Sequence, residues 1–282
     1  MFVFCASPLA CSRVNEGDAA VDISVQPQAP QDDVLQSLFQ ADVVYLGETH
    51  DILADHQAQL AIIQALHRQN PELAIALEMF QRPYQSVLDQ YLAAEITEAE
   101  LVELSQYEQR WGFPWEYYAP IIRFARDNQL PLIALNAPNE VPRKVARQGL
   151  ESLSEDERQY IPPLSEIRTD NSDYRQLVQQ AFGAHHAHAA VAGMNFENFF
   201  AAQVVWDETM AAGIANFLQQ APERQVVVLA GQGHVIYGYG IPSRVVRRMG
   251  DDLVQRTVLL NPSEAILDEG EGEIADHFWV SE

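Results

Sequence analysis

Four short runs in this chain carry almost no polarity: Val43-Val44-Tyr45-Leu46, Leu73-Ala74-Ile75-Ala76-Leu77, Leu132-Ile133-Ala134-Leu135 and Val226-Val227-Val228-Leu229-Ala230. A strand with one face in water alternates apolar and polar residues; a strand apolar throughout must be covered on both faces. Runs of this kind separated by helical stretches predict the α/β class, a parallel sheet flanked by helices. Leu53, Leu60, Ile63 and Leu66 share one helical face that ends at Asn70-Pro71. Helical periodicity returns over 121–128, 172–182 and 195–220, the last with Phe199, Gln203, Trp206, Met210, Gly213 and Phe217 at three- and four-residue steps. The long gaps on either side of the third run read as an inserted helical subdomain, placed at about 83–195.

The charge balance excludes whole classes of partner. Seventeen basic residues stand against 40 acidic ones, a net charge of −23. Such a surface repels phosphate backbones and anionic lipid, so nucleic-acid binding and loose membrane adhesion are excluded. No run approaches the ~18 apolar residues of a membrane span. Both cysteines, Cys5 and Cys11, lie in the first dozen residues, away from any folded body. The apolar stretch to Ala10, then Cys11, then a polar segment rich in Pro, Gln and acids is similar to a bacterial lipoprotein signal. The expectation is an exported chain, lipid-anchored at Cys11, with 1–33 as signal and tether; a frayed N-terminus on a cytoplasmic protein is the plainer alternative. The folded domain is placed at 34–262 and an acidic tail at 263–282.

Chemistry gathers where the apolar runs end. Gly47-Glu48-Thr49-His50 follows the first and Gly231-Gln232-Gly233-His234 the fourth, while Glu78 closes the second and Asn136 the third. In a parallel sheet, ligands bind beyond the carboxyl ends of the strands. His50, His234, Glu48, Glu78 and Asn136 are therefore expected at one edge. Glycine at such turns supplies positive φ or close backbone approach. A lone histidine is more often a cap or a satisfied core imidazole, and Glu48 reads equally well as an exposed residue at a helix entry. Glu78 is harder to dismiss, since an unpaired buried carboxylate is costly; His50, His234 or a metal is its expected partner. Gln203 and Asp207, one helical turn apart, are candidates to close the crevice from the helical side. His185-His186-Ala187-His188 has metal-ligand residue types but no adjacent carboxylate and reads as a surface turn.

Several of these blocks in order resemble one family. Val44-Tyr45-Leu46-Gly47-Glu48-Thr49-His50, Leu77-Glu78-Met79-Phe80, Trp115 to Ile121, Ile133 to Asn136, Gln203…Trp206-Asp207-Glu208-Thr209-Met210-Ala211 and the segment Gly231 to Arg244 resemble the ChaN-type haem-binding uptake proteins. The resemblance covers roughly residues 35–250. The paired Gly-x-x-His motifs are similar to those of the Tiki metalloproteases and erythromycin esterases. It implies an α/β domain with a helical subdomain, often on a bacterial surface lipoprotein, with haem as ligand and a tyrosine among the iron donors. Tyr237, three residues after His234, and Tyr118 fall in matching blocks, though Tyr118 beside Trp111, Phe113 and Trp115 reads equally as packing; Arg244 would pair a propionate or cap a local carboxylate. Pairing of two copies is left open.

Two functions follow. One is haem binding without catalysis. The other is a metal-dependent hydrolase in which His50, Glu78 and His234 hold a divalent metal and Glu48 or a second carboxylate acts as base; a metal-free version has His50 as general base. The chain has no Gly-x-Ser-x-Gly elbow and no phosphate loop, which disfavours a serine hydrolase and nucleotide chemistry.

Overall fold

The computed structural model describes residues 31–186, 195–268 and 273–281. Cys5, Cys11, residues 1–30 of the proposed tether and His188 lie outside them, while the tether's last three residues, 31–33, open the helix Gln31–Leu38. Six strands form one parallel sheet in the order β3-β2-β4-β1-β5-β6: β1 Val43–Glu48, β2 Leu73–Gln81, β3 Leu132–Asn136, β4 Gln225–Gly231, β5 Gln255–Leu260 and β6 His277–Trp279. The first four are the apolar runs, each lengthened by up to four residues.

The period-two alternation of strands sorts their side chains onto two cores. Val44, Leu46, Ile75, Leu77, Val227 and Leu229 face the helices Leu53–Gln69 and Trp115–Asp127. Tyr45, Ala74, Ala76, Val226 and Val228 face the long helix Phe196–Gln220 and the helix Ile241–Met249. A third core joins Ala137, Val141, Val145, Tyr174 and Val178 to the first half of the long helix, at Phe200, Val204 and Val205.

Two boundaries differ from the sequence expectation. The span 83–195 is not one insertion, because β3 falls inside it and pairs with β2, leaving a helical excursion on either side. The segment 263–282 is not wholly a tail, because His277–Trp279 pairs with β5 as the outermost strand. Three residues after an acidic stretch are too few to show a period, and Gln255 and Arg256 give β5 a polar start that hid it as well.

Candidate functional site

β2, β4 and β1 are neighbours, and their carboxyl ends carry the chemistry: Glu78 on β2, Gly231 to His234 beyond β4, Glu48 to His50 at β1. Glu48 pairs in register with Gly231. The arrangement that the strand ends predicted is thus met in space, with His50, Glu78 and His234 on one edge.

The first half of the site is built largely by nearby chain. Glu48 Oε1 lies 2.7 Å from His50 Nδ1 and also accepts the Tyr118 hydroxyl, while Oε2 accepts from the Gln59 amide. His56 sits 3.7 Å from Oε2, with its Nε2 3.1 Å from the His50 carbonyl oxygen and its ring stacked on Tyr117. Glu48 is 1% exposed, so the reading of it as a solvated residue at a helix entry is overturned. Burial alone would push its carboxyl up. The His50 hydrogen bond, the charges of His50 and His56, and the Tyr118 hydroxyl outweigh that and hold it below the usual range. His50 shifts the opposite way: burial would lower it, but Glu48 and the charge of Glu78 raise it. Trp111 stands edge-on to the His50 ring at 4.8 Å and Phe113 lies at 5.0 Å.

The second half is assembled from distant chain. Asp207, from the long helix, lies 2.6 Å from His234 Nδ1, and Gln203 Nε2 lies 3.1 Å from the same nitrogen. Tyr174 donates its hydroxyl to the other Asp207 oxygen at 2.6 Å. His234 Nε2 faces Glu78 at 3.6 Å, and Glu78 accepts the Gly231 amide at 2.7 Å. Burial opposes the charged form of His234, yet Glu78 and Asp207 raise its pKa. The crevice thus holds two imidazoles, each oriented by a carboxylate on Nδ1, with Glu78 between them.

The glycines serve close approach rather than unusual torsions. Neither Gly47 nor Gly231 has a positive φ. A β-carbon on Gly231 would come within 2.9 Å of His50 Nε2, and one on Gly47 within 2.7 Å of Val235. Any side chain at Gly231 would push the His50 ring out of the crevice.

Other expected residues lie elsewhere. Tyr118 is fully buried with its hydroxyl given to Glu48; burial and that carboxylate push its pKa well up, so it is a core donor and not a free phenol. Arg244 is 3% exposed and donates to the carbonyl oxygens of Tyr239 and Gly240 at 2.6 and 2.7 Å, over the Tyr174 ring and beside Glu208. It is engaged inside the fold, against backbone carbonyls and a buried carboxylate. Tyr237 is half-buried, stacked on Tyr239 at 5.3 Å, with a left-handed backbone (φ 55°) that a tyrosine rarely adopts. Asn136 donates to the Glu78 carbonyl oxygen, and its own Oδ1 is buried without a protein partner. Among the described residues, no group of three or more His, Cys, Asp and Glu side chains is placed to hold a metal ion, so the metal expected on His50, Glu78 and His234 finds no support.

Sequence reasoning missed Gln59, His56 and Tyr174 as partners of the carboxylates. Their signal was faint: polar side chains in buried stretches, visible only once burial is known.

A sequence model of the family described as haem-binding uptake, Tiki superfamily, ChaN, matches residues 34–245. Protein RETICULATA-RELATED 5, chloroplastic, of Arabidopsis thaliana is 31% identical over 272 residues, 88% of this chain; the chain spans 35% of that plant protein's length. The solved structure of ChaN from Campylobacter jejuni, described by its cofacial haem binding, aligns with a TM-score of 0.66 at 19% identity over 88% of this chain and 90% of its own. An erythromycin esterase aligns with a TM-score of 0.48 at 16% identity, over 84% of this chain and 74% of its own.

Proposed function

The chain belongs to the ChaN family of haem-binding uptake proteins in the Tiki superfamily, and on that premise we propose that it binds haem at the carboxyl edge of its sheet. The family match across 34–245, which takes in both Gly-x-x-His turns, Glu78 and Tyr237, carries this reading. The residues present fit such a group. Haem needs an axial donor and apolar walls. Tyr237 offers a half-buried phenol, Tyr239 and Trp206 offer aromatic faces, and the imidazole of His234 stands in the same turn. A phenolate is a recognised axial donor to haem iron. Haem would bring the iron; this chain's part is to donate the phenolate and exclude water.

The test is a ferric haem titration followed by visible absorption. Wild type should saturate with a tyrosinate-type spectrum and Tyr237→Phe should lose that spectrum. Unchanged spectra in Tyr237→Phe move the donor elsewhere, and no saturation in wild type overturns the haem reading. A lipid anchor at Cys11, a role in haem uptake at the cell surface and pairing of two copies belong to the same proposal. Membrane fractionation with mass analysis of the N-terminus, and the size of the haem-loaded protein in solution, test them.

One observation favours a second reading, metal-free acid–base hydrolysis. The crevice holds two His–carboxylate pairs and the orphan Asn136 Oδ1, an acceptor that haem does not require. One imidazole would take a proton from water while the other, protonated, donates to the leaving group. Haem-free protein assayed on ester and peptide substrates decides this: hydrolysis lost in both His50→Ala and His234→Ala supports it, and absent hydrolysis in wild type rejects it.

A further inference from the structure

We propose a separate oxyanion site in the cleft between the long helix Phe196–Gln220 and the 159–166 turn, where Arg82 and Arg248 receive the carboxylate or phosphate group of a small molecule. The cleft has a volume of about 370 Å³ and is lined by Arg82, Arg248, Glu166, Gln159, Asn216 and Gln219, with alanines of the helix as its floor. That volume falls in the range of small-ligand pockets, roughly 300–1,000 Å³. It is distinct from the histidine crevice. Its helix residues, Ala212 to Gln219, begin five positions beyond Asp207, which sets them ~8–18 Å along the axis at 1.5 Å per residue.

Two observations point to an anion. The first is Arg82. It is half-buried and donates to the Tyr160 carbonyl oxygen at 3.1 Å, and among the described residues no carboxylate pairs with it. Desolvation works against its charge, and among the described residues no carboxylate offsets it. A guanidinium has five N–H donors in a rigid fork, so most of Arg82 is left to water or a ligand.

The second is the neighbouring charge cluster. Arg244, Arg247 and Arg248 all converge on one fully buried carboxylate, Glu208, with Arg248 also meeting Glu166 at 3.1 Å. Arg248 Nη1 lies 2.9 Å from Glu208 Oε2, an ion pair without hydrogen-bond geometry, and is itself buried, so Arg248 acts on the cleft through its charge. Four arginines against two glutamates leave a local charge of +2 in a chain whose net charge is −23. At ~0.1 M salt the screening length is ~10 Å, so a small anion in the cleft feels the arginines and little of the remote acidic surface. Carboxylate and phosphate both match the arginine fork two bonds at a time, and the flanking amides of Gln159, Asn216 and Gln219 suit the rest of a small polar molecule.

The experiment is calorimetric titration of the full chain with inorganic phosphate and, separately, with succinate, against chloride at equal ionic strength. Saturable binding of at least one is expected, and which one it is identifies the headgroup. Arg82→Gln should weaken it ~10-fold or more, the worth of a charge-assisted hydrogen bond. Arg82→Lys should retain part of the affinity, and Arg68→Gln, on an exposed helix end, should leave it unchanged. Because Arg82 holds one carbonyl, a second variant guards against a folding effect: Ala212→Leu keeps helix propensity and narrows the cleft, and should also abolish binding. No saturable binding of either anion at ~10 mM, beyond the weak millimolar range of simple ligands, overturns the site. So does binding that Arg82→Gln and Ala212→Leu both leave unchanged. Neither result bears on haem.

Discussion

The two halves of the crevice present the same unit, a histidine oriented through Nδ1 by a buried carboxylate, but they are built in opposite ways. Glu48 is two residues from His50 at the end of one strand, and its other partner, Gln59, comes from the very next helix. Asp207 reaches His234 from a helix that precedes β4, and Tyr174 reaches Asp207 from still earlier chain. The local pair is set once β1 and its turn form. The distant pair exists only when the long helix docks on the sheet. Equal burial of the two imidazoles, each 7% exposed, shows that the finished site does not betray which route made it.

Removing each carboxylate is the strongest way to break the comparison. Glu48→Ala strands His50, Gln59 and Tyr118 in the core at once, and should cost about 4 kcal/mol or more, near the top of the range for breaking a buried charge pair. Asp207→Ala strands His234 and Tyr174, and should cost about 3 kcal/mol. Urea unfolding of both variants measures this. A larger loss for Asp207→Ala would mean that docking of the long helix, not the number of stranded donors, sets the cost.

The pH dependence sharpens it next. The Glu48 carboxyl lies below its usual 4.5 when folded, so its contribution is present above that value and is lost as pH falls through the folded pKa. His50 and His234 lie above 6.5, so theirs are full below that value and are lost as pH rises through the folded pKa. Asp55, buried beneath the first turn, is raised to about 7 despite hydrogen bonds from Thr49 and Asn261, and it works in the same direction as the histidines: ionising it as pH rises costs stability. Thermal unfolding should therefore be most resistant near pH 5, weaken toward pH 7 as the Asp55 contribution is lost, and weaken further toward pH 8 as the histidines lose their protons. The alkaline loss should shrink in His50→Gln and in His234→Gln. A wild-type midpoint that is flat to pH 9 would contradict the whole electrostatic account.

The smallest expected effect belongs to Tyr118→Phe. It keeps the ring in the core, removes one of several donors to Glu48, and should cost about 1 kcal/mol. Ferric haem binding should be unaffected, in contrast to Tyr237→Phe; parallel absorption titrations of the two variants make the comparison.

Much of this was legible without coordinates. The four apolar runs located four of six strands and the carboxyl edge where His50, Glu78 and His234 meet, because a strand buried on both faces leaves a continuous trace in sequence. The helices Leu53–Gln69 and Phe196–Gln220 were legible from period and terminators. β6 was not, since a three-residue edge strand held by one neighbour has no period to show.

The sequence by itself determined four of the six strands, their parallel direction and which residues stand at the working edge, since these follow from hydrophobic pattern and chain order. Only the tertiary structure decided which donor meets which acceptor. It gave the Tyr118 hydroxyl to Glu48 and Arg244 to Glu208 and backbone carbonyls, and left Arg82 without a carboxylate among the described residues. The physical reason is range: burial follows a pattern averaged over many residues, whereas a hydrogen bond depends on angstrom-scale contact between side chains that the sequence holds tens of residues apart.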